Sequence, residues 1–276
     1  MEAVRTLKQI EREDRRATPE EQEILSKYVG WGGISQAFDS DNQQWDKEFS
    51  QLFDELTPKE YEDARKSVLD SFFTSPAIID GIYEALEKFG FKGGNLLEPA
   101  MGVGNFVGKM PSEMAENTHV YGVEIDSISG RIAKQLYPDA DIQVTGFEHT
   151  NFQNSSFDVA VGNVPFGDLN FPDKQYGTTK LHDFFFAQTL DKVKDGGIVA
   201  FVTSKGTLDK KDESFRKQLA EKADLIGAIR LPNNAFKANA GTEVTSDIIF
   251  LQKRSAPPEE FPDWVHLGKT EDGLRV

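Results

Sequence analysis

Phe157-Asp158-Val159-Ala160-Val161-Gly162-Asn163-Val164-Pro165-Phe166 is an apolar run that reaches a glycine and then breaks into an amide, a proline and an aromatic residue. An apolar run of that length bounded by Gly reads as a buried strand. Asn163, the Val164 carbonyl held just ahead of Pro165, and the Phe166 ring then hang off the strand's C-terminal end. In open α/β sheets ligands bind at that end. An amide oxygen, a neighbouring backbone oxygen and a ring to stack on suit the capture of a planar base through its exocyclic amino group. A strand-end Asn is also a common turn residue, so the reading leans on a second pattern upstream, Leu97-Glu98-Pro99-Ala100-Met101-Gly102-Val103-Gly104-Asn105-Phe106.

Outward from these two stretches, strand candidates at 95–98, 119–124, 142–145, 157–162, 198–203, 225–230 and 247–252 alternate with helical stretches such as 127–136, 182–193 and 213–222. This spacing predicts an α/β fold with a largely parallel sheet covered on both faces. The loop 231–246 is poor in helix signals, so the last strand is free to insert antiparallel. Before the sheet, Ser75-Pro76 opens a helix with Ile78, Ile79, Ile82, Leu86 and Phe89 as its apolar stripe and Gly90 as its stop. The first seventy residues read as helical. Thr18-Pro19-Glu20-Glu21 and Thr57-Pro58-Lys59-Glu60 both have capping-box spacing. The helix after Thr18 is expected to turn Ile24, Leu25, Tyr28 and Val29 inward and stop at Gly30, with Trp31 packing on the main domain. Ser255-Ala256-Pro257-Pro258-Glu259-Glu260 reads as a linker. The expected organisation is therefore a helical extension over 1–70, an α/β domain over 71–254 and a linker or tail over 255–276.

With 276 residues, 38% of them hydrophobic, the chain is long enough to bury a sizeable core. It has no cysteine, which excludes disulfides, thiolate zinc sites and Cys nucleophiles, and with them cytosine C5 methylation through a Cys adduct. The four histidines, His119, His149, His182 and His266, share no metal spacing, so no metal is expected. No apolar stretch approaches the length of a membrane span, and the N-terminus lacks a signal-peptide core. A cytoplasmic protein without membrane contact is expected. The net charge of −15 disfavours tight nucleic-acid binding, because phosphate contacts come from Lys and Arg. Acid concentrates in residues 1–70, whereas basic residues outnumber acidic ones over 192–222.

The glycines after Glu98 allow a backbone to approach a ligand closely, and a following helix offers unpaired N–H groups. Gly102-Val103-Gly104 is followed by Asn105, Phe106 and Val107, so this is not the six-residue dinucleotide fingerprint. The next strand ends in Val123-Glu124-Ile125-Asp126, where an acid can accept both hydroxyls of a ribose. Loop and acid together point to a nucleoside-containing ligand.

Leu-Glu-Pro-Ala-x-Gly-x-Gly-Asn-Phe, then Val-Glu-Ile-Asp, then Asn-Val-Pro-Phe resembles the amino-group DNA methyltransferases that use S-adenosyl-L-methionine, and Phe73-Thr74-Ser75-Pro76 resembles their further cofactor motif, placed as in the gamma motif order. The resemblance runs from about 72 to 254. The opening pattern from Glu21 to Gly33 is most like the methylase-like domain of large helicase-methylase proteins of conjugative elements. The resemblance implies a class I methyltransferase, Rossmann-like, with a seven-stranded mostly parallel sheet and one antiparallel strand. It implies that Phe73, Thr74 and Pro76 flank the cofactor. Glu98, Ala100, Gly102 and Asn105 would line its methionine half, with Glu124 on the ribose, and Gly104 and Ile125 are further cofactor-binding residues that the resemblance implies. Where the family has an Asp-Phe pair for the adenine, this chain has Gly146-Phe147-Glu148. Phe147 can still stack, and Glu148 is the residue available to replace the aspartate. The family usually has proline where this chain has Val164. Phe236 matches a position that packs on the extruded base, and it reads equally well as a loop anchor.

The implied activity is methyl transfer to the N6 amino group of adenine in DNA. An adenine amino nitrogen is a poor nucleophile because its lone pair is delocalised into the ring. Acceptors on both of its protons, from Asn163 and the Val164 carbonyl, favour a pyramidal nitrogen, and positioning does the rest. Phe166 would stack on a base already out of its duplex. Two alternatives stay open: another amino or amide acceptor, such as guanine N2 in ribosomal RNA or a protein glutamine, and a catalytically weak cofactor-binding module of a larger helicase-methylase protein. No target-recognition domain follows residue 254, so DNA binding is expected to be weak in isolation, with recognition supplied by another domain or subunit.

Overall fold

In the computed structural model, which describes residues 1–67, 74–165, 170–236 and 245–268, the strands are β1 Gly94–Glu98, β2 Thr118–Glu124, β3 Asp141–Val144, β4 Phe157–Asn163, β5 Asn170–Asp173, β6 Gly177–Lys180, β7 Val193–Ser204, β8 Ala223–Arg230 and β9 Ser246–Lys253. Seven of them form one sheet in the order β3-β2-β1-β4-β7-β9-β8. The pairs among β3, β2, β1, β4 and β7 are parallel, whereas β9 runs antiparallel to both β7 and β8. The expected seven strands and the single antiparallel insertion are both present. Strand order reverses between β1 and β4, so the crevice of the doubly wound sheet opens at their C-terminal ends.

Helices α1 Glu2–Arg12, α2 Pro19–Ser26, α3 Asp46–Glu55 and α4 Pro58–Ser67 form the N-terminal extension. The α/β part carries α5 Pro76–Lys88, α6 Asn105–Lys109, α7 Ser112–Ala115, α8 Ser127–Leu136, α9 Leu181–Lys192, α10 Gly206–Asp209 and α11 Ser214–Lys222. Period-two alternation divides the sheet's side chains between two layers. Leu96, Val159, Val161, Val202, Ile248 and Phe250 join Ile79, Ile82 and Leu86 of α5 in one cluster. Leu97, Ala160, Val199, Phe201, Ile249 and Leu251 join Phe184, Phe185, Phe186 and Leu190 of α9 in the other. Burying each of the Val, Leu, Ile and Phe side chains among them contributes about 1.5–3 kcal/mol. Among the described residues no helix is long and apolar enough to cross a membrane.

The extension is fastened to α8. Ala3, Val4, Leu7 and Ile10 of α1, Leu25 of α2 and Trp31 share a third cluster with Val103, Ile128 and Ile132. Trp31 is 2% exposed and packs edge-on against Tyr28 and Phe38. Thr18 caps α2 through the expected capping box, and Thr57 and Glu60 exchange the same pair of bonds. Two expectations fail locally. Helix α2 ends at Ser26, and Val29, read as inward, is exposed because the chain has left helical geometry before it. Phe89, read as the end of the α5 stripe, is half-exposed and leans on Phe250. In the stretch read as a linker or tail, Val265 is fully buried and its carbonyl accepts a bond from Arg216 Nε at 2.6 Å.

Candidate active site

Three neighbouring parallel strands end in the residues singled out from sequence: β2 in Glu124, β1 in Glu98 and β4 in Asn163. All three line one cavity of about 330 Å³, within the range that takes nucleoside-sized ligands. Thr74, Ala100, Gly102, Asn105, Ile125, Phe147 and Pro165 line it as well.

The loop between β1 and α6 is shaped by its glycines. Gly102 has φ +56° with open space beside it, and Gly104, the residue ahead of α6, has φ +85°. A side chain at 104 would start 2.4 Å from the Tyr137 ring, so Gly104 is held by packing as well as by backbone conformation, and it does not line the cavity. Glu124 braces this loop. Its carboxylate accepts the Gly102 N–H at 2.7 Å and the Asp126 N–H at 2.7 Å. Asp126 in turn caps α8 by accepting the Ser129 N–H at 3.0 Å.

These acids are buried, and burial governs their protonation. Burial lifts the Glu98 carboxyl well above the ordinary carboxylate range, and the nearby Glu124 charge adds to the effect. Glu124 is pushed up to about 7 by burial and by Asp126, against the backbone N–H bonds that favour its charge. Asp126 is raised by burial too, opposed by its bonds from Ser129. Glu98 is 2% exposed, and its Oε2 meets no hydrogen-bond donor among the described residues.

At the end of β4, the Val164 N–H donates to the Val202 carbonyl at 3.1 Å, so sheet pairing continues one residue beyond Asn163. The Val164 side chain is buried in the α9 layer. Phe147 is 2% exposed and stacks on Phe185, with ring centroids 5.5 Å apart and planes at 27°. At Gly146 the Glu148 carboxylate folds back: a Cβ built on residue 146 would lie 2.5 Å from both of its oxygens. The carboxylate at this wall therefore comes from residue 148 and lies beside the position from which a residue-146 side chain would leave the backbone.

Not every expected residue reaches the cavity. Pro76 begins α5 and does not line it. Phe236 is fully buried in the core layer with α5, the position of a loop anchor, because the turn after β8 folds its ring inward. Phe73 and Phe166 lie outside the described residues. Conversely, sequence reading missed several lining residues. Phe171 comes from the β5–β6 hairpin, Leu181, Phe184 and Phe185 from α9, and Gly30, Asp63 and Ser67 from the extension. The run Phe184-Phe185-Phe186 was a visible signal for a buried helix, but nothing local marks Asp63.

A model of the N-6 DNA Methylase family matches residues 48–262. The "Defense against restriction protein B" of Escherichia phage P1 is 30% identical over 261 residues, which is 92% of this chain and 10% of the phage protein. The chain thus spans about a tenth of that relative's length. Among solved structures, one described as a class I S-adenosylmethionine-dependent methyltransferase from Listeria monocytogenes aligns with a TM-score of 0.58 at 18% identity, over 94% of this chain and 91% of that one. A modification subunit of a type I restriction enzyme from Vibrio vulnificus YJ016 aligns with a TM-score of 0.56 at 17% identity, over 86% and 64%. At such identities the two structures speak for the fold alone.

Proposed function

We propose that this chain, which belongs to the N-6 DNA Methylase family, transfers a methyl group from S-adenosylmethionine to the N6 amino group of adenine in DNA. The observation that carries the reading is the convergence of Glu98, Glu124 and Asn163, at the ends of three adjacent parallel strands, on one cavity. The cavity fits the cofactor. A buried carboxylate oxygen of Glu98 awaits a donor, open space lies beside Gly102, and apolar walls from Phe147 and Ile125 adjoin the carboxylate of Glu148. Thr74 and the 98–105 loop would hold the methionine half. Glu124 would accept the ribose hydroxyls on lone pairs left over from its two backbone bonds. Phe147 and Ile125 would cover the adenine, and Glu148 would accept its amino group. Bound there, the cofactor supplies an electrophilic sulfonium methyl.

The chain's own contribution is to the acceptor. Asn163 Oδ1 and the Val164 carbonyl would accept hydrogen bonds from the two amino N–H groups of the target adenine, turning the nitrogen lone pair outward. As the N–CH3 bond forms, the sulfonium S–CH3 bond breaks to leave the neutral thioether, and the surplus amino proton passes to solvent. Where the family usually has proline at 164, the bond from Val164 N–H to Val202 restrains the peptide through the sheet, and Pro165 keeps Val164 extended. Phe166 is assigned to stacking on the base. We assign sequence recognition to another domain or subunit, consistent with a role inside a larger protein of a mobile element. That placement is supported by the likeness to a tenth of the phage protein.

The test is transfer of a labelled methyl group to DNA together with cofactor calorimetry. Asn163→Ala should reduce turnover by about 100–1000-fold with cofactor affinity nearly intact, because the side chain holds the acceptor rather than the cofactor. Undiminished transfer to DNA by Asn163→Ala would sink the mechanism.

A further inference from the structure

The cavity wall contains acids from four separate elements. Glu98 ends β1, Glu124 ends β2, Glu148 lies in the turn after β3, and Asp63 is on α4 of the extension. Among the described lining residues there is no Lys, Arg or His. We propose that Asp63 is a further cofactor-site residue, through which the N-terminal extension makes the cavity favour the cationic sulfonium cofactor over its neutral thioether product.

This inference rests on the cofactor reading above and adds charge selection to it. S-Adenosylmethionine carries an ammonium, a carboxylate and a sulfonium, so its net charge is +1. The thioether that remains after transfer has lost the sulfonium and is neutral overall. Burial holds Glu98 and Glu124 toward their protonated forms. In a wall without a basic side chain it is therefore the Asp63 carboxylate that acts on the difference between the two ligands, whereas their shared adenosine and amino-acid parts bind alike. Within this wall the buried Oε2 of Glu98 meets no donor among the described residues. Asp63 is 18% exposed at its side chain, and its partner Lys59, at 2.7 Å, is 81% exposed. Water screens the lysine strongly and the carboxylate less, so Asp63 keeps a net negative field on the cavity side.

Its position is set by the packing of α4. Glu60, one turn earlier, is bonded to Arg131 of α8 at 2.6 Å and to Lys8 of α1 at 2.7 Å, and Ala64 is fully buried in the core shared with α8. Asp63 thus reaches the cavity from a helix clamped at its neighbours rather than from a loose arm.

The experiment is calorimetry on the full chain with three probes: S-adenosylmethionine, S-adenosylhomocysteine, and sinefungin, which carries a protonated amine in place of the sulfonium. The parent should bind the two cationic probes about 5- to 30-fold more tightly than the thioether, the scale of one partly screened charge pair. Asp63→Asn should remove a large part of that preference by weakening the cationic probes while leaving the thioether nearly unchanged, and Asp63→Glu should restore it. Equal or tighter binding of the thioether by the parent overturns the inference while leaving the cofactor reading intact. The inference also fails if Asp63→Asn weakens all three probes alike. Failure of all three to bind the parent would remove the cofactor reading itself. The parent ranking needs no variant, so it decides the matter even if Asp63→Asn does not fold.

Discussion

Replacing Arg131 with methionine probes how the extension is held against the cavity. Arg131 projects from α8 and reaches Glu11 through Nε at 2.6 Å and Nη2 at 2.5 Å, and Glu60 through Nη1 at 2.6 Å. Glu60 is 7% exposed and also accepts from Lys8 Nζ at 2.7 Å and from the Thr57 N–H at 2.8 Å. Burial works to raise the Glu60 carboxyl, but the bonds from Arg131, Lys8 and Thr57 outweigh it and hold the group at about 2. Against an ordinary value of 4.5, that depression corresponds to about 3 kcal/mol of stability. Because the folded value is the lower one, the contribution is complete above 4.5 and is lost as pH falls through about 2. Roughly 1.5 kcal/mol of it should remain at pH 3. Methionine keeps the aliphatic volume but leaves Glu60 with Lys8 as its one cation. We expect Arg131→Met to cost about 2 kcal/mol at pH 7, less than a fully buried pair because the arginine side chain is 26% exposed. The penalty should shrink below about 1 kcal/mol at pH 3. Urea denaturation followed by circular dichroism at both pH values measures this. A penalty under about 0.5 kcal/mol at pH 7, the range of a surface pair, would refute the reasoning. So would a penalty that is equal at both pH values.

Two further predictions concern the acids and the DNA. Glu124 stands at about 7 in the folded chain against an ordinary 4.5, so between those values the folded state keeps a proton that the unfolded chain has released. Stability without cofactor should therefore fall as pH rises from about 4.5 to about 7, by on the order of 3 kcal/mol. Melting temperatures at pH 5 and pH 8 check this: Glu124→Gln should give a shallower decline, and a parent that becomes more stable at pH 8 would contradict the assignment. With a net charge of −15 the chain alone should bind DNA weakly and with little sequence preference. Tight, selective binding by these residues in fluorescence anisotropy at physiological salt would show that they recognise their own target.

The sequence alone carried much of what is written locally, although it placed the end of α2 too late. Strand 157–163 reads from a mostly apolar run because a parallel strand is buried on both faces, and helix 127–136 coincides with α8 because Asp126 caps it and an apolar stripe sustains it. The residues of Glu98, Glu124 and Asn163 type were legible because ligands in such sheets meet the strand ends, and these ends announce themselves by the break from apolar to polar residues. Tertiary structure decided what depends on partners far away in the chain. Phe236 could have faced a base or the core, and the packing against α5 put it in the core. Glu148 takes the place beside Gly146 because the turn after β3 folds its carboxylate back, a geometry no spacing encodes. Asp63 became a wall of the cavity only through the docking of α4 on α8. Periodicity and caps are interactions over a few residues and leave a trace in sequence. The walls of a cavity are assembled from elements that meet only when the chain folds.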